Sequence, residues 1–479
     1  MASTTTTDGR QTALLSPLDQ YLPRIYVLLY LVFHTTDPSA AVDSLQAGVN
    51  ELGSRLPYLR GSVIAPGDSR GQMAITWSPS DPPLSLNPTT SLGTNPPSYK
   101  QLHSENAPIR YFANTFPALI QSRAVTNPDN PGFPAFAASY TLLDTAVVLG
   151  IAVHHSLADG TGMSEIIRLF ASCTSRNFPP ENQLPRPDEP LLRSILLHSG
   201  LPSPKAKSVP ERLASLSGFF LRSETSAPQA VDPLAPKGKA KLFRFPLARI
   251  EHAKKTLREI HGEVNPAAFT TNNVLTGVIW ACITRARAVR RGDTVLGDGI
   301  SKLWFAINGR GRLMGDVAEH PFVGNVNLAG VAGLSCGELG EIGGGCLATG
   351  KLEGLVKVVE GIYEGVGVVT PEHIAEVVAM MEEVEDVREV APNWVTSNGA
   401  DVSVTSWANM GVYESDFGEG IGKPVFIRVP EFERDGLLLV LPRKREDVGG
   451  EGNVEVVVLV CEEDMKFLER DEVWNSWVV

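Results

Sequence analysis

The sequence predicts an α/β protein with two lobes of similar size, and three observations support this prediction. The chain has 479 residues, which at roughly 150 residues per domain is enough for two or three domains. Segments with strand-like and helix-like patterns alternate along the chain. Residues 179–236 hold eleven of the 35 prolines, a density typical of a connector. We therefore predict a first lobe at residues 1–195, a crossover connector at 196–236 and a second lobe at 237–479.

The first lobe is predicted to contain two strands followed by a helix. Residues 137–142 and 146–153 are rich in aliphatic and β-branched side chains, which is typical of paired strands. The second run is almost continuously apolar, as in a strand that is buried on both faces. Residues 163–172 have apolar side chains at helical spacing. A strand therefore leads through a short turn into a helix.

The connector and the second lobe follow the same patterns. In chain order, they predict short helices at 191–198 and 211–221, a strand at 241–245, helices at 247–260 and 269–287, a strand at 303–307, a helix at 372–390, strands at 437–442 and 454–461, and a helix at 465–468. The glycines between residues 333 and 367 predict loops and turns. Strands and helices therefore alternate on both sides of the connector.

Composition and charge exclude several classes of protein. With 43% hydrophobic and 20% charged residues, the chain has the composition of a folded globular protein. Its net charge of −12 argues against nucleic acid as a ligand, because phosphate binding needs a broadly basic face. The five cysteines are widely spaced and form no CxxC pair, which favours reduced thiols over disulfides or a zinc site.

The sequence also predicts a cytoplasmic protein with no membrane segment. The N-terminal residues lack the apolar stretch of a secretory signal. The nearest candidate for a membrane span, residues 21–33, is too short and holds Pro23 and Arg24.

The strongest chemical signal is the run HHSLADG at residues 154–160. Imidazole titrates near neutrality, so it can take a proton from a hydroxyl or an amine and later release it. His155 follows the buried strand directly, and Gly160 permits a tight turn, so the ring is predicted to be fixed and aimed into a cleft. Asp159 either orients this ring or turns away and pairs with an arginine. The sequence therefore predicts His155 as a general base.

The run HHSLADG has two other interpretations. We expect His154, which comes at the end of the buried run, to be a packed and satisfied side chain. A metal site with His155 and Asp159 as ligands would need further ligands, and the remaining histidines show no paired spacing. We therefore predict no metal.

Residues 333–337 (GLSCG) match the G-x-S-x-G pattern of serine hydrolases. That elbow needs a strand before the serine and a helix after it, followed by an acid and a histidine. The glycines that follow Cys336 favour no helix, and His373 is the one histidine downstream. The sequence therefore disfavours a hydrolase built on Ser335.

The chain resembles the BAHD acyltransferases, and in particular their fungal relatives of the trichothecene 3-O-acetyltransferase type. HHSLADG matches the HHxxxDG motif of this family. Four further segments resemble segments of the family and follow in the same order and spacing. Residues 15–19 (LSPLD) resemble its opening strand, and residues 307–312 (INGRGR) with 324–325 (GN) resemble its NxRxR and GN segment. Residues 406–407 (SW) with 416–420 (DFGEG) and 423–424 (KP) resemble its second motif, and residues 462–468 (EEDMKFL) resemble its C-terminal helix. Glu419 stands where the motif DFGWG has Trp, and Ile421 and Gly422 lengthen the motif.

This resemblance implies a fold and an activity. The fold is two chloramphenicol-acetyltransferase-like lobes with mixed β-sheets and flanking helices, and an active-site tunnel between them. The activity is transfer of an acyl group, with acetyl as one candidate, from acyl-CoA to a hydroxyl or amine of a small molecule. We expect this small molecule to be a secondary metabolite. No covalent enzyme intermediate forms, acyl-CoA is a co-substrate, and no cofactor is permanently bound. We expect a monomer without nucleic-acid or membrane partners.

The resemblance also implies roles for individual residues. His155 deprotonates the acceptor, and Asp159 and Asp416 are the acids of the two motifs. We count these three residues as catalytic candidates, although Asp159 is expected to act structurally through Arg310, and a cap or salt bridge is the favoured interpretation of Asp416. The structural-support candidates are Gly160, Arg310 and Gly418. Because coenzyme A phosphates need basic partners, the cofactor-binding candidates include Arg285, Arg287, Lys241 and Arg312. Ser406 and Trp407 are candidates as well. Further basic residues in the same clusters are Lys237, Lys239, Arg290 and Arg291.

Two functional alternatives remain open at this point. A condensation enzyme shares the fold and HHxxxDG but takes its acyl group from a carrier-protein thioester. A non-catalytic binding protein could keep the same scaffold if Glu419 marked a decayed site, although the presence of both His155 and Asp159 argues against this.

Overall fold

The computed structural model describes residues 4–5, 9–67, 70–89, 92, 96–112, 132–216, 218–221, 238–261, 266–292, 299–342, 352–444 and 452–479. The strands in this part of the chain are β1 (Thr4–Thr5), β2 (Gln11–Leu14), β3 (Tyr26–His34), β4 (Ser62–Ile64), β5 (Ala74–Trp77), β6 (Leu86–Pro88), β7 (Phe133–Pro134), β8 (Phe136–Leu142), β9 (Ala146–His154), β10 (Phe219–Leu221), β11 (Gly238–Pro246), β12 (Ile300–Asn308), β13 (Asn327–Ser335), β14 (Val390–Pro392), β15 (Val402–Ser406), β16 (Phe426–Arg428), β17 (Leu437–Val440) and β18 (Asn453–Cys461). The α-helices are α1 (Pro17–Gln20), α2 (Pro38–Arg55), α3 (Tyr99–Ser104), α4 (Gly160–Ser175), α5 (Glu189–Ser199), α6 (Val209–Ser215), α7 (Leu247–His261), α8 (Thr271–Arg291), α9 (Asp316–Glu319), α10 (Cys336–Ile342), α11 (Glu353–Gly367), α12 (Pro371–Glu383), α13 (Glu462–Leu468) and α14 (Glu472–Trp477).

The first lobe is built on a sheet with the strand order β16-β3-β9-β8-β6. Its strand β9 is buried along its whole length, as its continuous apolar run predicts. Because side chains alternate between the two faces of a strand, Val147, Leu149 and Ile151 pack with α2 and α4, while Val148 and Ala152 pack in a separate cluster on the other face. A smaller sheet, β1-β2-β5-β4-β7, accompanies this one.

The second lobe is built on a six-stranded sheet with the order β11-β18-β17-β15-β12-β13. The pairs β12/β15 and β15/β17 are parallel, and the other pairs are antiparallel. Along β18, Val456 and Val458 pack with the helices of the second lobe, whereas Val457 and Leu459 pack into the core of the first lobe. The predicted two lobes with mixed sheets are therefore confirmed, and they share an apolar contact.

The predicted lobe limits do not coincide with the elements of the structure. Strand β16 lies within the predicted second lobe but pairs with β3 in the sheet of the first. Helix α5 runs across the predicted boundary at residue 195, and α6 and β10 lie inside the predicted connector. Strand pairing, which depends on residues far apart in the chain, decides the lobes here.

The prediction of a strand at residues 15–19 is wrong. Strand β2 ends at Leu14, and Pro17 begins the short helix α1. Ser16 and Asp19 form a capping box at the start of this helix, and proline at the first helical position has a backbone angle already suited to a helix.

Three other predictions are corrected by the structure. The helix predicted over residues 372–390 ends at Glu383. Acidic side chains are unfavourable near a helix C-terminus, because the helix dipole is negative there. The helix predicted over 211–221 ends at Ser215, and β10 follows and pairs with β14. Within the glycine-rich region, residues 343–351 lie outside the described part, but α10 and α11 are helices because apolar residues recur at helical spacing in spite of the glycines.

Among the described helices, none combines the length and the apolar character that a membrane span requires.

Candidate active site

His155 lies at the junction between β9 and α4, and both lobes hold its backbone. Its N–H donates to the carbonyl oxygen of Ile25, at 2.8 Å. Its own carbonyl oxygen accepts a hydrogen bond from the side-chain nitrogen of Asn325, at 3.0 Å. The residue is therefore fixed at the seam between the lobes, as the sequence predicts.

The imidazole of His155 is suited to accept a proton. Burial lowers its pKa below the ordinary value, and the carbonyl oxygens of His155 and Ala158, the charge of Asp159 and the side chain of Asn325 act in the opposite direction. The ring is therefore neutral at neutral pH, which is the form that a general base needs. Its Nδ1 atom is buried without a hydrogen-bond partner among the described residues.

His154 is a packed residue, as expected, but its Nε2 atom is buried without a hydrogen-bond partner among the described residues, so the side chain is not fully satisfied. Its ring lies 5.2 Å from that of Tyr26 and 6.0 Å from that of Phe133, measured between centroids. Its Nδ1 atom accepts a hydrogen bond from the backbone N–H of Ser156, at 3.2 Å. Burial, followed by the neighbouring His155 and Arg24, lowers its pKa to about 3.

The low pKa of His154 predicts a loss of stability in acid. Its pKa is about 3 when folded and near 6.5 in an unfolded chain. Below about pH 6.5 the unfolded chain therefore binds a proton that the folded protein does not, and the free energy of unfolding falls by about 1.4 kcal/mol per pH unit. The variant His154→Asn keeps an acceptor for Ser156 but does not titrate, so its stability should fall less steeply. Urea unfolding between pH 6.5 and 5 measures both slopes, and equal slopes would contradict the prediction.

Asp159 does not orient the ring of His155, because its carboxylate is fully engaged elsewhere. It caps the start of α4 by accepting from the N–H of Gly162, at 2.9 Å. The Nη atoms of Arg310 donate to its two oxygens at 2.9 and 3.0 Å, and the N–H of Val326 donates at 2.9 Å. Although burial acts to raise the pKa of Asp159, Arg310 and the backbone donors hold it below its usual value. Of the two alternatives for Asp159, orienting the ring of His155 or pairing with an arginine, the structure shows the pairing with Arg310.

Arg310 ties the loop after His155 to the second lobe. It lies in a 3₁₀ turn, Arg310–Arg312, just after β12. Beyond Asp159, it donates to the carbonyl oxygens of Phe322 and Gly324 and to the side-chain oxygen of Asn308. A bidentate pair between arginine and carboxylate is geometrically specific. Arg310 therefore has the structural-support role that the resemblance implies.

A buried charged network that the sequence does not predict lies under the His155 loop. Asp19, Glu189 and Arg193 are each at most 1% exposed. Arg193 donates to Asp19 at 3.2 Å, to Glu189 at 2.9 Å and to the carbonyl oxygen of Leu157 at 3.0 Å. These residues come from distant parts of the chain, so no local motif indicated the network.

Gly160 is placed against the second lobe, as its role of structural support requires. A Cβ atom at this position would lie 3.1 Å from the indole of Trp407. Trp407 follows β15, and its N–H donates to the carbonyl oxygen of Val440 at 2.8 Å. Ser406, the last residue of β15, is exposed. The structure therefore brings Trp407 to the start of α4, next to the His155 loop.

The loop of the second motif lies at the other end of α4. The carboxylate of Asp416 accepts from the N–H of Gly418 at 2.9 Å. Gly418 has a φ of +93°, and a Cβ there would lie 2.9 Å from the Cα of Ser175, the last residue of α4. Helix α4 rises about 1.5 Å per residue, so this loop lies roughly 20 Å along the helix from the His155 loop. This placement supports the cap interpretation of Asp416 and counts against its prediction as a catalytic residue.

Phe417 anchors this loop to the first lobe. Its ring centroid lies 4.9 Å from that of Phe33 and 5.4 Å from that of Phe170. Glu419, by contrast, is exposed. The departure from the usual Trp therefore affects the surface of the loop and not its core.

Three of the predicted coenzyme A contacts pair with acidic side chains of the protein. Arg285 donates to both oxygens of Asp471, and Lys241 pairs with Glu469 at 2.6 Å. Arg287 is 2% exposed and is bonded to Asp435 and to two backbone carbonyl oxygens. Burial and pairing count against a role of Arg287 in binding phosphate, whereas contact of the more exposed Arg285 and Lys241 with a donor stays a prediction.

Three other basic candidates in the described residues, all arginines, also have hydrogen-bond or ion-pair partners within the protein. Arg312 donates to the backbone carbonyl oxygens of Asn308 and Val366, and burial lowers its pKa. Arg290 pairs with Asp464, and Arg291 donates to the carbonyl oxygens of Asn398 and Gly399. Lys237 lies outside the described residues. Contact of any of these cations with a donor stays a prediction.

A cavity of about 320 Å³ opens between α4 and the second lobe. It is lined by Thr161, Glu165 and Arg168 from α4, and by Arg310 and Phe322 from the second lobe, among others. The cavity therefore borders the Asp159–Arg310 pair at the seam. The tunnel past His155 itself stays a prediction.

Ser335 has a strand before it and a helix after it, contrary to the expectation that no helix follows. Its hydroxyl donates to the carboxylate of Glu338 at 2.8 Å and accepts from the N–H of the same residue. The backbone N–H of Ser335 also donates to this carboxylate, at 3.2 Å, which completes a capping box. Ser335 therefore caps the start of α10, and its hydroxyl is paired with Glu338 and not with a histidine base.

No group of three or more histidine, cysteine, aspartate and glutamate side chains in the described residues is arranged to hold a metal ion.

Comparisons with known proteins agree with this geometry. The sequence model of the Transferase family matches residues 112–473, and that of the trichothecene 3-O-acetyltransferase-like N-terminal domain matches residues 25–173. The chain is 28% identical to trichothecene 8-O-acetyltransferase of Fusarium sporotrichioides, covering 98% of both chains. It is 26% identical to the O-acetyltransferase ptmV of Penicillium ochrochloron, covering 97% of this chain and 96% of that protein.

A solved structure shows the same fold. The F. sporotrichioides protein TRI101, crystallised with coenzyme A and T-2, superposes with a TM-score of 0.77 at 20% identity, covering 98% of this chain and 99% of that one. The predicted resemblance and fold class are thus confirmed over the whole chain. The chain therefore belongs to the Transferase family, and it is an acyltransferase with the two-lobed fold of the trichothecene O-acetyltransferases.

Proposed function

We propose that this enzyme transfers an acyl group from acyl-CoA to a hydroxyl of a small secondary metabolite, with His155 as the general base. Acetyl is the first candidate for the acyl group. The observation that carries the proposal is the half-buried imidazole of His155, which is neutral because desolvation lowers its pKa, on a loop that both lobes hold. Asp159 supports that loop from its pairing with Arg310.

The proposed reaction proceeds in a complex of both substrates. His155 takes the proton of the acceptor hydroxyl as the oxygen attacks the carbonyl carbon of the thioester. The bond between carbon and sulfur then breaks, and the imidazolium returns the proton to the leaving sulfur, giving the ester and free coenzyme A. Holding donor and acceptor together supplies much of the rate, and no bond forms between the acyl group and the protein.

The comparisons support a hydroxyl acceptor and a coenzyme A donor. Relatives that cover nearly the whole chain are named O-acetyltransferases. The TRI101 structure with the same fold holds coenzyme A together with T-2. We therefore place an alcohol ahead of an amine as acceptor, and acyl-CoA ahead of a carrier-protein thioester as donor.

We also propose a cytoplasmic monomer. Cys173, Cys282, Cys336 and Cys461 are free thiols, which supports a reducing compartment.

Release of free thiol tests the proposal directly. The enzyme is incubated with acetyl-, malonyl- or a longer acyl-CoA and a panel of alcohols and amines, and thiol is followed over time. We expect release that depends on an alcohol acceptor, with formation of the matching ester. No acceptor-dependent release with any acyl-CoA, but transfer from an acylated carrier protein, would overturn the coenzyme A donor. Amide products alone would overturn the hydroxyl acceptor.

A further inference from the structure

Asp19, the last residue of the LSPLD segment, accepts five hydrogen bonds inside the protein. The residue is fully buried. Its Oδ1 atom accepts from the backbone N–H of Asn325 at 2.9 Å and from the side-chain nitrogen of the same residue at 2.7 Å. Its Oδ2 atom accepts from the N–H and the hydroxyl of Ser16 at 2.8 and 2.7 Å, and from Arg193 at 3.2 Å. Both oxygens are therefore engaged, and the carboxylate is held in one orientation.

Two of the side chains that bind Asp19 also hold the loop that carries His155. The side-chain nitrogen of Asn325 donates to the carbonyl oxygen of His155 at 3.0 Å. The Nη1 atom of Arg193 donates to the carbonyl oxygen of Leu157, two residues further along, at 3.0 Å. In each side chain, the nitrogen that reaches the loop is the one that also reaches Asp19. One carboxylate therefore sets the position of both nitrogens that hold the loop.

The backbone of the second lobe is fixed by the same set of carboxylates. The N–H groups of residues 323–326 donate, in chain order, twice to Glu189, once to Asp19 and once to Asp159. Asp159 lies at the end of the loop that begins with His155. The segment that carries Asn325 is thus held in register with this loop by direct hydrogen bonds.

The buried charges at this seam are better explained by geometry than by stability. Each is at most 9% exposed; they belong to Asp19, Asp159, Glu189, Arg193 and Arg310. Taking charges out of water costs about as much as their attraction returns, so apolar side chains of similar volume often stabilise a core as well or better. Hydrogen bonds between charged groups add geometric specificity. The network therefore fits a role in placing the His155 loop.

We propose that Asp19 is a positioning residue for acyl transfer, which places His155 through Asn325 and Arg193. Asp19 acts on the backbone of the loop and transfers no proton. A displacement of about 1 Å in a catalytic group can lower a rate about 100-fold, so the loop must be held closely. This inference rests on the proposed role of His155 as the general base.

The variant Asp19→Asn tests this role. Asparagine has a single carbonyl oxygen, so it cannot accept from Asn325 on one side and from Ser16 and Arg193 on the other. We expect kcat for thiol release to fall by about 100-fold, with little change in the KM for acyl-CoA or for the acceptor. Rates are measured at a temperature at which thermal unfolding shows the protein to be fully folded.

A double-variant cycle separates positioning from a general loss of stability. Asn325→Ala removes the side chain through which Asp19 reaches the carbonyl oxygen of His155, and it should lower kcat as well. Because the two residues act on the same carbonyl oxygen, the fall in the double variant should be well short of the product of the two single falls. Independent effects would multiply.

The matched control is Asp435→Asn. Asp435 is a buried aspartate that accepts from the guanidinium of Arg287 at 3.2 Å and from the N–H groups of Asn398 and Cys461. It thus resembles Asp19 in burial and in its donors but has no contact with the His155 loop. Its replacement should lower the stability of the protein and leave kcat at the wild-type value.

Ser16→Ala is a milder second variant, for the case that Asp19→Asn does not fold. It removes one donor to the Oδ2 atom of Asp19 and leaves Arg193 as the charged partner. We expect kcat to fall about fivefold, the rate equivalent of about one hydrogen bond.

The proposal is overturned by a wild-type kcat in folded Asp19→Asn, or in Ser16→Ala if Asp19→Asn does not fold. A fall in Asp435→Asn as large as in Asp19→Asn would overturn it too, as would falls that multiply in the double variant. If His155→Ala kept its acyl transfer, the proposed function itself would fail instead.

Discussion

His155→Ala is expected to lower kcat for acyl transfer by about 10²- to 10⁴-fold while the protein stays folded. Removing the imidazole removes the base that takes the acceptor proton, and proton transfer by a positioned side chain contributes a factor of this size. Steady-state rates of thiol release with saturating acyl-CoA and acceptor measure the effect, and the KM for acyl-CoA should change little.

The control for this experiment is another histidine of the chain. His198 is an exposed residue at the end of α5 and contacts Glu382, so His198→Ala should keep the wild-type rate. Equal turnover in His155→Ala and the wild type would contradict the mechanism.

Arg310→Ala is expected to lower the free energy of unfolding by about 3–5 kcal/mol, the usual cost of breaking a buried ion pair. The change leaves the carboxylate of Asp159, which is 5% exposed, with its backbone donors but without its charged partner. Because the same arginine also holds the carbonyl oxygens of Phe322 and Gly324, we expect acyl transfer to fall as well. Urea unfolding at neutral pH measures the loss of stability.

Arg285→Ala is the matched control for this prediction. Arg285 also forms a bidentate pair with an aspartate, Asp471, but its side chain is 32% exposed. An ion pair accessible to solvent contributes about 0–1 kcal/mol. Similar losses in the two variants would show that burial of the Asp159–Arg310 pair does not dominate its energy.

The strand and the helix next to His155 could be predicted from the sequence because both have strong local patterns. The apolar run of β9 and the motif after it locate His155, and the helical spacing after Gly160 predicts α4. The resemblance to a known family supplied Arg310 as the partner of Asp159, which no local pattern contains. The pair is confirmed in the structure.

The parts that could not be predicted depend on contacts between distant residues. Asp19 looked like part of a strand, and nothing near it in the chain indicates Asn325 or Arg193 as partners. Arg287 looked like a free cation because the sequence does not show that Asp435 lies beside it. Burial and pairing of charges are tertiary properties, so a basic cluster in a sequence does not by itself indicate a phosphate site.

The pairing of β16 with β3 has a consequence for how this protein is made. Strand β3 comes long before β16 in the chain, and in the described part of the structure β16 pairs with the outer edge of β3 at Tyr30, Leu31 and Val32. A chain that is still being synthesised therefore exposes this edge until nearly all of the second lobe exists. Exposed strand edges favour association with other chains. Expression of the first lobe alone should accordingly yield aggregates. A shortened chain that ends before residue 426 should aggregate as well.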